Sequence, residues 1–150
     1  MSNNLASILN NLVETSKDGE KGFRAAADDT KNGELKTLFL GRANDCAKGA
    51  AELQKKVTAL GGQPEDGGTV AGALHRGWMN LKASVIERSD LAILEECERG
   101  EDVAKASYRK ALEEDLPDEI REIVQHQYDG VVRNHDQVRD LRDRYRAKQS

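Results

Sequence analysis

Aromatic residues are scarce in this sequence, at 4% of positions, and proline occurs only at Pro64 and Pro117. A chain with so few aromatics is expected to build its core from Leu, Val, Ile and Ala. So few prolines leave long stretches free to stay helical. Cysteine appears only as Cys46 and Cys97. Two cysteines cannot staple a disulfide framework, and in a reducing compartment they are expected as free thiols. No apolar run approaches the roughly 20 residues needed to span a bilayer, so no membrane-crossing role is expected. The first residues, Met1-Ser2-Asn3-Asn4, lack the basic and apolar parts of a signal peptide, and the expected compartment is the cytoplasm. There is no basic stripe to track a phosphate backbone, and nucleic acid is not expected as a partner. The net charge is −4, with both signs interleaved.

What the chain does have is Ala, Leu, Glu, Lys and Arg in abundance. Its 150 residues suit a single domain over 1–150. The pattern predicts an all-α fold. A helix over about 3–31 carries Leu5, Leu9, Leu12, Ser16, Phe23 and Ala27 at spacings of three, four and seven. Asn32-Gly33 is expected to supply a left-handed stop. A second helix, about 34–60, has a seam through Leu35, Leu38, Cys46, Ala50, Leu53, Val57 and Leu60, and ends at Gly61-Gly62. After a loop holding Pro64, Gly67 and Gly68, Thr69 is expected to cap a shorter helix over about 70–88. Ser89-Asp90 then reads as a break and a new cap. A further helix, about 91–114, shows Leu94, Cys97, Glu101, Ala104, Tyr108 and Leu112 on one side. The last runs from Pro117 to about Ala147, with Ile120, Val124, Val131, His135, Val138, Leu141 and Tyr145 on its seam.

Short turns make antiparallel pairs, and the 70–88 segment can return the chain to its starting end. The result is an up-down, down-up four-helix bundle with one helical crossover between the second and third bundle helices, the ferritin-like connectivity. A five-helix bundle without the crossover is the alternative.

Polar residues interrupt the apolar seams at Glu20, Glu101 and His135, with Asp45 beside Cys46. If Asn32-Gly33 and Ser89-Asp90 share one pole, Glu20, Asp45 and Glu101 each lie about 12 or 13 residues from it, roughly 18–20 Å along the axis. Buried carboxylates brought together need a compensating cation. Di-metal carboxylate bundles use lone glutamates and Glu-x-x-His pairs. Here the corresponding pairs are Asp45-x-x-Lys48 and Val132-x-x-His135. A dinuclear site is therefore not expected. A single metal, iron or manganese, held by Glu20, Asp45, Glu101 and His135 is one reading. The other pairs the same carboxylates with Lys48, Arg42 or Arg24, or bonds them to Tyr108 or Tyr128. Cys46 and Cys97 read as small core residues, Trp78 as packing the crossover onto the bundle, and His126 as exposed. His75 reads as facing solvent or a partner. No Ser-His-Asp or Cys-His arrangement is present to argue from.

The stretches Gly72-Ala73-Leu74-His75-Arg76-Gly77-Trp78, Cys97-Glu98-Arg99-Gly100-Glu101-Asp102 with Tyr108, and His135-Asp136-Gln137-Val138-Arg139-Asp140-Leu141 resemble a bacterial family of ferritin-like four-helix-bundle domains of unknown function, common in proteobacteria. The resemblance spans about residues 5–145. It implies the ferritin-like fold and an association with stress. It supplies no activity and no ligand set. The sequence thus predicts a non-catalytic bundle acting by binding or self-association, with a two-fold dimer as the expected assembly. A mononuclear metal protein is the alternative.

Overall fold

The computed structural model describes residues 2–66, 78 and 89–149. They form four long helices: α1 (Ser2–Asp29), α2 (Gly33–Ala59), α3 (Asp90–Leu112) and α4 (Asp118–Gln149). No strand occurs among the described residues. No helix there is long and apolar enough to cross a membrane.

The helix ends follow local chemistry. Ser89 caps α3, its hydroxyl accepting from Ala92 N at 3.1 Å. Gly61 takes φ +82° past the end of α2, and Gly62 N returns to Val57 O. This is the left-handed turn that glycine makes without strain. Asn32-Gly33 differs from expectation. Asn32 is extended and caps α2, its Oδ1 accepting from Glu34 N at 2.9 Å and Leu35 N at 3.0 Å. An amide side chain that satisfies two orphan N–H groups starts a helix and needs no left-handed residue.

Three contacts fix the topology. Thr30 Oγ1 donates to Asp90 Oδ1 at 2.6 Å, joining the end of α1 to the start of α3. Asn32 Nδ2 donates to the Tyr145 hydroxyl at 3.2 Å, bringing the end of α4 to that pole. At the other pole Lys56, late in α2, pairs with Glu119, early in α4. So α1 runs up, α2 down, α3 down and α4 up. The chain leaves α2 at one pole and enters α3 at the other, which is the ferritin-like connectivity. The expected helix over 70–88, its Thr69 cap, Gly67-Gly68 and His75 lie outside the described residues. Trp78 is described, and it is buried at 3% exposure. Its ring meets Phe23 edge-on at 5.1 Å.

The interior divides into two apolar clusters. One holds Leu9, Leu12, Val13, Leu53, Val57, Ile120 and Val124. The other holds Phe23, Phe39, Trp78, Ile93, Leu94 and Val138. The α2 seam steps through Phe39 and Ala43, and Leu38 is only half-buried, one position off the expected line.

Candidate metal centre and the polar layer of the bundle

Between the two clusters the bundle interior is polar. Ser16 of α1 hydrogen-bonds the Tyr108 hydroxyl of α3 at 3.1 Å. That hydroxyl donates to Gln127 Oε1 of α4 at 2.7 Å. Gln127 Nε2 in turn reaches Gly49 O and Glu52 Oε1 of α2. One chain of bonds thus crosses all four helices. Burial pushes the Tyr108 phenol above its usual range, so it stays protonated and keeps donating.

Further along the axis, Glu101 is buried at 2% exposure. Arg42 Nε donates to its Oε1 at 3.3 Å. The guanidinium also lies 5.9 Å from the Phe23 ring centre. Burial raises the Glu101 pKa, against the pull of Arg42, Asn134 and His135. Burial alone would lower the Arg42 pKa, but the Glu101 carboxylate more than offsets it and the group stays charged. Arg42 therefore stands where a metal would have to compensate Glu101.

The four expected ligands separate. Glu20 is partly exposed and pairs with Arg24 of its own helix at 3.2 Å. Asp45 is exposed. Both act electrostatically on the Cys46 thiol, as does Glu101. Glu20 and Glu101 are met by arginines, Arg24 and Arg42, as the second reading of the sequence had it. His135 is buried but turns to the flank of α3. Its Nε2 lies 2.6 Å from Asp102 Oδ1 and 3.9 Å from Glu98 Oε2, and its Nδ1 lies 3.1 Å from Asp136 Oδ1. Ligand atoms of Glu98, Asp102 and His135 all fall within 4.8 Å of one another. Glu98 also receives Arg142 through its other oxygen.

Glu98 and Asp102 escaped the sequence reading because neither lies on an apolar seam. Their spacing of four residues puts them on one helix face, toward α4. That spacing, beside a histidine on the facing helix, is the signal that could have found them. His126 is exposed, as expected. Cys46 and Cys97 are buried free thiols.

The Glu98–Asp102–His135 group can hold one cation. Asp136 can only accept, so Nδ1 carries a hydrogen and Nε2 faces the two carboxylates. Nε2 lies 2.6 Å from Asp102 Oδ1 without hydrogen-bonding geometry, and a metal ion between them would give both atoms a partner. A carboxylate that fixes the far nitrogen of a ligating histidine is the usual support of a metal site. Two irons do not fit this interior. Glu101 is engaged by Arg42 and Glu20 by Arg24, and Lys48 and Val132 stand where a histidine and a carboxylate would be needed.

A cleft of about 660 Å³ opens beside this layer, between α2 and α4. These two helices pack only sparsely against each other. Gly49 and Gly130 lie on its walls, and Glu101 and Tyr108 on its floor.

Residues 4–114 match the family described as "Domain of unknown function (DUF2383)". A search of curated proteins finds no match. Solved structures share the fold. Dps of Mycobacterium smegmatis in its tetragonal form is 17% identical, with a TM-score of 0.79 over 93% of this chain and 86% of that one. A C-terminal deletion mutant of the same Dps is 16% identical, with a TM-score of 0.76 over 93% and 98%. The Dps protein of Vibrio cholerae, described as a member of a broad superfamily of ferritin-like diiron-carboxylate proteins, is 18% identical, with a TM-score of 0.67 over 96% and 89%. At these identities the likeness shows a ferritin-like four-helix bundle.

Proposed function

This chain belongs to the DUF2383 family, and from that premise we propose that it acts by binding, holding one divalent first-row metal ion between α3 and α4. The ligands are His135 Nε2, Asp102 and Glu98. The observation that carries this reading is the convergence of their three ligand atoms within 4.8 Å. Two carboxylates and one imidazole suit manganese, iron or zinc. The site therefore keeps His135 from the set expected in the sequence and exchanges Glu20, Asp45 and Glu101 for Glu98 and Asp102. Burial pushes the Cys46 thiol up to about 12, which keeps it out of nucleophilic work. A stress-associated role, a cytoplasmic location and self-association into a two-fold dimer belong to the same proposal. They rest on the family resemblance and the fold.

The test is metal analysis of protein purified without chelator, followed by melting curves with Mn(II) and, without oxygen, Fe(II). About one equivalent of metal and a raised melting temperature are expected, because a ligand that binds only the native state stabilises it by about 2.7 kcal/mol at a hundred times its Kd. Both effects should vanish in Asp102→Asn, a largely exposed position where folding is not at stake. Substoichiometric metal together with unmoved melting curves would sink the reading.

A further inference from the structure

The cleft between α2 and α4 is a second feature of the bundle, and it presents cationic groups that are at most partly engaged among the described residues. Arg42 spends only its Nε on Glu101. Among the described residues its two terminal nitrogens have no hydrogen-bond partner, although the side chain is only 11% exposed and lines the cleft. Glu101 and Phe23 hold the guanidinium from behind and beside, so its forked end faces the open space. Lys48 on the α2 wall and Arg133 on the α4 wall form no ion pair among the described residues, and both line the same cleft. Deeper in, Glu101 Oε2 and Asn134 Nδ2 are buried, and Asn134 acts on the Glu101 carboxyl.

A planar fork held by one edge is the geometry that takes a carboxylate or a phosphate through two parallel hydrogen bonds. Asp45, Glu52 and Glu101 also line the cleft, so its net charge is balanced. Bulk attraction therefore does not select the ligand; the local fork does. The acidic and amide groups suit hydroxyl or amino substituents on the rest of the molecule. The volume of about 660 Å³ fits one small molecule.

We propose that this cleft binds a small polar molecule bearing a carboxylate or phosphate group, held by the terminal nitrogens of Arg42 with Lys48 and Arg133 at the rim. The site is separate from the metal candidate and does not depend on it. Calorimetry and melting curves with citrate and with inorganic phosphate, each up to about 10 mM, test the shared chemistry and distinguish its two sources. At least one probe should bind and raise the melting temperature. Arg42→Lys, which keeps the charge and loses the fork, should weaken that binding about tenfold or more. Lys48→Ala with Arg133→Ala alters two exposed positions, so the fold is not at risk, and should weaken it several-fold. No binding of either probe overturns the proposal. So does binding that survives both the Arg42→Lys and the rim variants intact.

Discussion

The two halves of the bundle interior are made of different materials. The half toward the Thr30–Asp90 pole is aromatic, with Phe23, Phe39 and Trp78 at its centre. The half toward Gly61 is aliphatic, with Leu9, Leu12, Leu53, Val57 and Val124. The aliphatic half spreads its burial over many side chains. The aromatic half concentrates it in a few, and one of these, Trp78, comes from the connection and not from a bundle helix. Between them lies the hydrogen-bonded layer of Ser16, Tyr108, Gln127, Arg42 and Glu101. That layer interrupts apolar packing, and the cleft opens at its level. The contrast teaches that a bundle can keep a polar middle if each half has its own dry core.

The strongest way to break this comparison is Trp78→Ala. Removing a large buried aromatic should cost about 3–5 kcal/mol, measured by urea denaturation. A loss no greater than an exposed substitution gives would show that the aromatic half does not lean on Trp78. Smaller and signed is the effect of Glu101→Gln, which probes the layer. The folded pKa of Glu101 lies above its ordinary 4.5. The native state therefore binds that proton more tightly than the unfolded state. The resulting stability is fully present below about pH 4.5 and is lost as pH rises through the folded value. Stability of the native chain relative to Glu101→Gln should thus fall as pH rises above about 4.5. A difference independent of pH would contradict the burial of this carboxyl. Smallest is the thiol test. Cys46 sits on the aromatic side of the layer at 6% exposure, its pKa near 12. Iodoacetamide at about pH 8 should label it only after unfolding. Fast labelling of the native chain would mean that the layer opens readily.

Much of the architecture was legible because it is written in short-range chemistry. Ser89 and Gly61 mark ends that depend on one cap and one left-handed residue. The shared pole of Asn32 and Ser89 rested on a crossover over about 70–88, and the Thr30–Asp90 bond bears the pole out. The site was less legible, for a geometric reason. Periodicity places a residue on a face but not the direction of its side chain at the edge of that face. Glu20 and Asp45 fall at such edges and turn toward Arg24 and solvent. Glu98 and Asp102 also lie at an edge, and they turn toward His135. Asn32 misled because Asn-Gly suits a left-handed stop as well as a helix start, and only the backbone N–H groups of Glu34 and Leu35 decide between them.

The seat of Trp78 has a mechanical consequence. A methyl group added at Gly22 of α1 would stand 2.2 Å from the indole, and one at Gly100 of α3 also 2.2 Å. These two notches belong to different hairpins, α1–α2 and α3–α4. The ring acts as a dowel through both. Sliding one hairpin along the other by a single turn, about 5.4 Å, would carry a notch off the ring and jam a bulkier neighbour against it. The heights at which Arg42 meets Glu101 and Ser16 meets Tyr108 are thereby indexed by one side chain from outside the four helices.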